Sequence, residues 1–286
     1  MTLNELLEPA LKAALAAGEA IRPFATASPK VEWKKDHSPL TQADLASQKA
    51  ITTHLKKCGI PMISEEEKEI PFEERKRWIR FWLIDPLDGT KEFIAGRAEY
   101  TVNIALVEDQ IPVMGIVYAP AADLIYFGAR NLGAWRAQCP TEHSDLLNLQ
   151  YFKQMGTPLP EKKTDAPPRI LASRSHLDEK TQRFITAFSK RYPDSQIVNK
   201  GSSIKFCGLA EGSAEIYPRF GPTMEWDTAA GHAILRAAGG FCFTDSKEEL
   251  HYNKPSLVNP DFIACTDAFY SKLLSGDPFN DPFRIG

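Results

Sequence analysis

Two aspartates, Asp85 and Asp88, stand three residues apart in Asp85-Pro86-Leu87-Asp88-Gly89-Thr90, directly after the apolar run 81–84. Carboxylates crowded at a partly buried turn repel, and one of them is driven toward its neutral form. A hard divalent cation removes that conflict. Mg²⁺ takes oxygen ligands, keeps several waters and uses few protein carboxylates. The backbone carbonyl of Leu87, between the two aspartates, offers one more oxygen. Other acids have similar settings. Glu65 follows the short apolar run 60–63, and Asp227 sits where a helix is expected to begin. Each has a plainer reading: Asp227 as an N-cap, and Glu65-Glu66-Glu67 as a solvated charge run. Gly89 lets the backbone approach a ligand closely. A helix starting at Thr90 would turn free N–H groups toward a phosphate. The Thr90 hydroxyl can orient a water. Metal ions with an amide cradle suit in-line attack on phosphorus. Asp44, in Thr41-Gln42-Ala43-Asp44, reads first as the acid of a capping box.

These residues need elements to hold them. Thr2 to Glu5 is a capping box, and apolar residues at helical spacing predict a helix from 3 to about 22. A second helix is predicted from Thr41 to Gly59, where glycine is a C-cap. From Trp78 onward, β-branched and aromatic runs at 81–84, 101–107, 113–118, 124–127 and 134–136 predict a largely antiparallel meander. The first half is thus α+β, helices laid on a sheet. Residues 138–168 are polar and proline-bearing, and are taken as the boundary between units 1–137 and 169–286. The second unit alternates short strands and helices, which predicts a helix-flanked α/β layer.

Composition excludes several classes. The chain has 286 residues, 43% apolar and 25% charged, so a folded globular protein of two ordinary domains is expected. A net charge of −3 leaves no basic footprint for nucleic acid. Five cysteines without C-x-x-C spacing argue against a disulfide framework or a zinc site. No signal peptide is visible. No apolar run approaches the ~20 residues a membrane span needs. The default expectation is a cytoplasmic protein without a protein partner; peripheral attachment to the inner face of a membrane stays open.

The strings Glu65-Glu66, 85–90 and Trp226-Asp227-Thr228-Ala229-Ala230-Gly231, in that order along the chain, resemble the inositol monophosphatase superfamily of Mg²⁺-dependent, lithium-sensitive phosphatases. Within it, the chain looks closest to the 3′(2′),5′-bisphosphate nucleotidases of bacterial CysQ type. That likeness lies in Lys91-Glu92-Phe93, Ser173-Arg174-Ser175-His176, Gly201-Ser202-Ser203-Ile204-Lys205-Phe206 and the segment from Tyr217 to Thr223. The resemblance implies a two-domain layered αβαβα sandwich. It implies Glu65, Asp85, Asp88, Asp227 and the Leu87 carbonyl as Mg²⁺ ligands, with Asp44 and Thr90 activating the attacking water. It further implies that Gly89, Thr90, His176, Ser202, Lys205 and Arg219 contact the substrate. Lys205 and Arg219 could hold a second phosphate, lysine as a point charge and arginine through paired donors. On the residues alone, Lys205 reads first as a helix residue with a solvated head, and His176 equally as a polar helix start.

The implied reaction is hydrolysis of 3′-phosphoadenosine 5′-phosphate to AMP and phosphate, which clears a by-product of sulfate assimilation. Three rivals stand beside it: another sugar-phosphate phosphatase of the superfamily, a haloacid-dehalogenase-like enzyme with a phospho-aspartate, and a non-catalytic metal or nucleotide sensor. The spacing D-x-x-D-G-T is one residue longer than the D-x-D-G-T of the second rival.

Overall fold

The structure is a computed structural model and describes residues 1–25, 31–33, 39–140, 148–161, 167–173 and 178–274. Five layers stack in the order helices, sheet, helices, sheet, helices. Leu3–Ile21 and Gln42–Leu55 form the first layer. Thr2 opens the first helix with a capping box: Glu5 N donates to Thr2 Oγ1 at 3.3 Å, and Thr2 N to Glu5 Oε2 at 2.7 Å. Leu6, Leu7, Ala10, Leu11 and Ala14 are all buried, as their spacing predicts. The second helix ends in a 3₁₀ turn, Lys56–Cys58, and Gly59 (φ 65°) then reverses the chain.

The second layer is a seven-stranded sheet whose strands neighbour one another in chain order: Met62–Ser64, Arg80–Asp88, Thr101–Glu108, Ile111–Ala119, Leu124–Ala129, Gly133–Gln138 and Thr157–Leu159. Only the first pair is parallel. Asp109 and Gln110, at φ 47° and 66°, make the tight turn of one hairpin. Helices cover both faces of this antiparallel sheet, so its central strands are buried on both sides and read as continuous apolar runs. A Cβ on Gly115 would lie 2.1 Å from the carbonyl oxygen of Ala230, so the helix behind can approach only a glycine there.

Ile204–Glu211 and Glu225–Ala237 fill the middle layer. The fourth layer is a five-stranded sheet in the order Gln196–Lys200, Arg169–Ser173, Ile216–Arg219, Phe262–Cys265, Phe241–Thr244. Its first two pairings are parallel and the others antiparallel. Glu179–Arg191 and Asp267–Leu274 cover its outer side. The central apolar core draws on both halves of the chain, from Phe81 and Val117 to Phe206 and Ile234. The stretch 138–168, taken from sequence as a boundary, holds the helix Leu149–Met155 and the strand Thr157–Leu159, which pairs onto Gly133–Gln138. Three residues with a central proline carry too little pattern to read as a strand. The five cysteines are free, and among the described residues no helix is long and apolar enough to cross a membrane.

One buried polar lock fixes the start of Glu225–Ala237. Glu225, fully buried, accepts from Asn253 N (2.6 Å), Lys254 N (3.0 Å) and Lys254 Nζ (2.6 Å). Arg75, also buried, donates to Asn253 Oδ1 and the Lys254 carbonyl, both at 2.7 Å. Removing one partner of a buried ion pair strands the other charge. Lys254→Met is therefore expected to lose about 2 kcal/mol or more in urea unfolding. A change below about 0.5 kcal/mol, the size of an ordinary surface substitution, would contradict the lock.

Candidate metal centre and phosphate cleft

In a regular strand, residues three apart face opposite sides. Asp85 and Asp88 escape that rule. Asp85 pairs with Asn103 and Asp88 with Thr101, so three steps on one strand match two on its neighbour. The extra residue is a bulge, which turns Asp88 back toward the side of Asp85. Pro86 lacks the N–H that a regular ladder would need. Its carbonyl accepts the buried Ser47 hydroxyl at 2.6 Å. Glu65 arrives from the adjacent parallel strand: Ser64 pairs with Ile84, and Glu65 N donates to Ile84 O at 3.2 Å.

Asp227 lies in the first turn of Glu225–Ala237, and its Oδ2 accepts Met224 N at 2.8 Å. It is thus a capping acid and a member of the cluster at once. Ligand oxygens of Glu65, Asp85 and Asp227 all fall within 4.8 Å of one another. Burial, then the charges of Glu65, Asp88 and Asp227, push the Asp85 carboxyl well above the usual carboxylate range. Burial, then Asp88 and Glu65, do the same to Asp227. Three mutually repelling acids, one of them almost fully buried, form an oxygen-only donor set that fits a hard divalent cation.

Asp88 borders this trio and is not part of it. All four of its side-chain hydrogen bonds among the described residues run to Oδ2: from Ser202 Oγ (2.7 Å), Ser203 N (2.7 Å), Ser203 Oγ (2.8 Å) and Asn103 Nδ2 (3.4 Å). The Leu87 carbonyl accepts Thr90 Oγ1 at 3.2 Å. Thr90 Oγ1 also lies 3.3 Å from Asp44 Oδ1. Asp44 Oδ2 meanwhile accepts Thr41 N (2.7 Å) and Thr41 Oγ1 (2.6 Å). Asp44 therefore caps its helix with one oxygen and faces Thr90 with the other. Gly89 has φ 89°, and a Cβ there would meet the Glu99 carbonyl at 2.9 Å, so glycine is required. The helix that follows, Thr90–Ile94, is barely one turn long.

The opposite wall of the cleft comes from the five-stranded sheet and the helix Ile204–Glu211, and includes Ser173, Lys205, Tyr217 and Arg219. Lys205 is buried, not solvated. Its Nζ donates to Ser202 O at 2.6 Å and lies 5.4 Å from the Tyr217 ring centre. Burial lowers its pKa to about 8, with Arg219 adding to the shift and Asp88 opposing it. Arg219 is buried too, and its Nη2 donates to the Pro222 carbonyl at 3.0 Å. Ser202 points its hydroxyl at Asp88 and lies 2.5 Å from Thr101 Oγ1. His176 lies outside the described residues. Nothing in the local sequence marks Ser47, Asn103 or Ser203; Ser203 lies in the Gly201-Ser202-Ser203 string, and only its partners far along the chain set it apart.

Comparison with known proteins places the chain among related sequences and folds. A protein from Salmonella typhimurium described as "3'(2'),5'-bisphosphate nucleotidase CysQ" is 40% identical over 262 residues, covering 90% of this chain and 98% of that one. Its namesake from Haemophilus influenzae is 34% identical, covering 93% and 95%. The crystal structure of CysQ from Bacteroides thetaiotaomicron, a bacterial member of the inositol monophosphatase family, superposes with a TM-score of 0.86 at 42% identity, covering 92% of this chain and 98% of that one. Residues 2–275 match the inositol monophosphatase family as a whole, and the chain belongs to that family.

Proposed function

We propose that this chain is a Mg²⁺-dependent phosphatase that removes the 3′-phosphate of 3′-phosphoadenosine 5′-phosphate, giving AMP and phosphate. One observation carries this function: the acid trio and Thr90, with Asp44 behind it, share a single cleft with two buried cations, Lys205 and Arg219. A substrate with two phosphates matches a site with two kinds of phosphate partner. The relatives at 34–40% identity, described as bisphosphate nucleotidases, support the same substrate class.

Glu65, Asp85 and Asp227, with Asp88 and the Leu87 carbonyl beside them, would hold the cation. When bound, it supplies charge to the phosphate oxygens and makes water a better nucleophile near neutral pH. Thr90 Oγ1 takes a proton from the attacking water as its own passes to Asp44 Oδ1, 3.3 Å away. Gly89, at φ 89°, makes the turn that carries the chain from Asp88 to Thr90 beside the phosphate. Lys205 and Arg219 bind the 5′-phosphate and fix the nucleotide's orientation. A phospho-aspartate at Asp85 is disfavoured by its setting, since the side chain is 1% exposed and its Oδ1 accepts Leu87 N at 3.0 Å.

A phosphate-release panel tests the substrate. 3′-Phosphoadenosine 5′-phosphate should exceed inositol 1-phosphate, which has no second phosphate, in kcat/KM by at least about 100-fold, the worth of two charge-assisted contacts at ~1.5–3 kcal/mol each. Release should require Mg²⁺. Equal or better turnover of inositol phosphate would overturn the nucleotide assignment, and release in chelator would overturn the metal requirement.

The Lys205 pKa gives a second test. Its lowered value, about 8, means the ammonium loses its charge as pH rises through that value. The profile of kcat/KM reports groups of the free enzyme. It should fall above pH 8 for the bisphosphate substrate and stay flat there for 3′-AMP, which lacks the 5′-phosphate. The same falling limb for both substrates would mean that Lys205 does not act on the second phosphate.

A further inference from the structure

Ser203 sits where the two halves of the cation site meet. It is almost fully buried. Its hydroxyl oxygen lies 2.8 Å from Asp88 Oδ2 and 2.6 Å from the Asp227 carbonyl oxygen, and accepts Asn103 Nδ2 at 2.8 Å. These three partners come from different elements. Asp88 ends the strand Arg80–Asp88, Asn103 belongs to the neighbouring strand Thr101–Glu108, and Asp227 belongs to the helix between the two sheets.

A serine hydroxyl has one hydrogen and two lone pairs. Asn103 occupies a lone pair, so the single hydrogen is shared between Asp88 and the Asp227 backbone. The orientation of Asn103 leaves its Oδ1 buried with no partner among the described residues. That amide is committed to aiming Nδ2 at Ser203 and Asp88. The Ser203 N–H binds the same Asp88 oxygen at 2.7 Å. Asp88 is thereby fixed in rotation through Oδ2, and no hydrogen bond to its Oδ1 is found among the described residues. Ser202, just before it, holds φ 49°, a left-handed conformation that non-glycine residues seldom adopt. The chain accepts that strain while two consecutive serines face one carboxylate.

We propose that Ser203 is a positioning residue that sets Asp88 against Asp227 and thereby tunes the affinity for the divalent cation. The proposal rests on the metal-dependent function given above. Groups that orient a metal ligand change affinity by about 10–100-fold when removed. The test uses Mn²⁺ as the probe, measured by electron paramagnetic resonance on wild type and Ser203→Ala, with metal-free unfolding of both. Ser203→Ala should bind Mn²⁺ about 10-fold or more weakly. The Mg²⁺ concentration for half-activation should rise in step. The nucleotide KM at saturating Mg²⁺ should stay within about twofold, because the substrate contacts remain. Equal Mn²⁺ affinity in both proteins would overturn the positioning role, even if the variant unfolds at a lower temperature, since its contribution would then be to the fold alone. If wild type itself binds no Mn²⁺, the metal-dependent function falls and this inference with it, so the two failures are told apart.

Discussion

Carboxylates forced together at the end of one buried strand are the constraint on which the rest of this structure depends. Asp85 is 1% exposed and stands among Glu65, Asp88 and Asp227. Burial and mutual repulsion both oppose its ionised form. Crowding like charges around a buried carboxylate is destabilising without a counter-charge. The presence of the cluster fits a cation as the missing counter-charge. The bulge between Asp85 and Asp88 is the local device that makes the cluster possible, since without it the second aspartate would face the other side of the sheet.

The layers serve this arrangement. The large sheet delivers Glu65, Asp85 and Asp88 from adjacent strand ends. The first helical layer delivers Asp44, whose capping oxygen anchors it while its second oxygen faces Thr90. The middle layer delivers Asp227, and the lock of Glu225, Lys254 and Arg75 holds that helix start in place. The far sheet delivers Arg219, and the helix beside it delivers Lys205. The cleft therefore exists only when both sheets are docked. The shared core makes docking obligatory: Gly115 of the large sheet touches Ala230 of the intervening helix so closely that no side chain fits between them.

Much of this is legible in the chain because it is local. The capping boxes at Thr2 and Thr41, the turn at Asp109-Gln110 and the D-x-x-D-G-T string each announce themselves within six residues. The apolar strand runs are legible because helices bury both faces of the sheet. Other features depend on partners far away in sequence. Lys205 carries no local sign of burial; its residue type suggests a solvated head, yet Tyr217 and the Ser202 carbonyl enclose its ammonium. Asn103 and Ser203, 100 positions apart, look like ordinary polar residues until the fold brings them to 2.8 Å. The strand Thr157–Leu159 is an edge of three residues whose pairing comes wholly from its neighbour.

The central claim is tested most directly by thermal unfolding of wild type and Asp85→Asn, each with and without Mg²⁺. A carboxyl whose folded pKa is raised stabilises the fold at low pH and loses that contribution as pH rises above the ordinary carboxylate value of about 4. Asparagine keeps the shape and the acceptor for Leu87 N but never ionises. The account predicts a crossing at neutral pH: without metal Asp85→Asn is the more stable protein, and with millimolar Mg²⁺ wild type gains stability and overtakes it. Wild type that is the more stable of the two without metal, and indifferent to Mg²⁺, would contradict it.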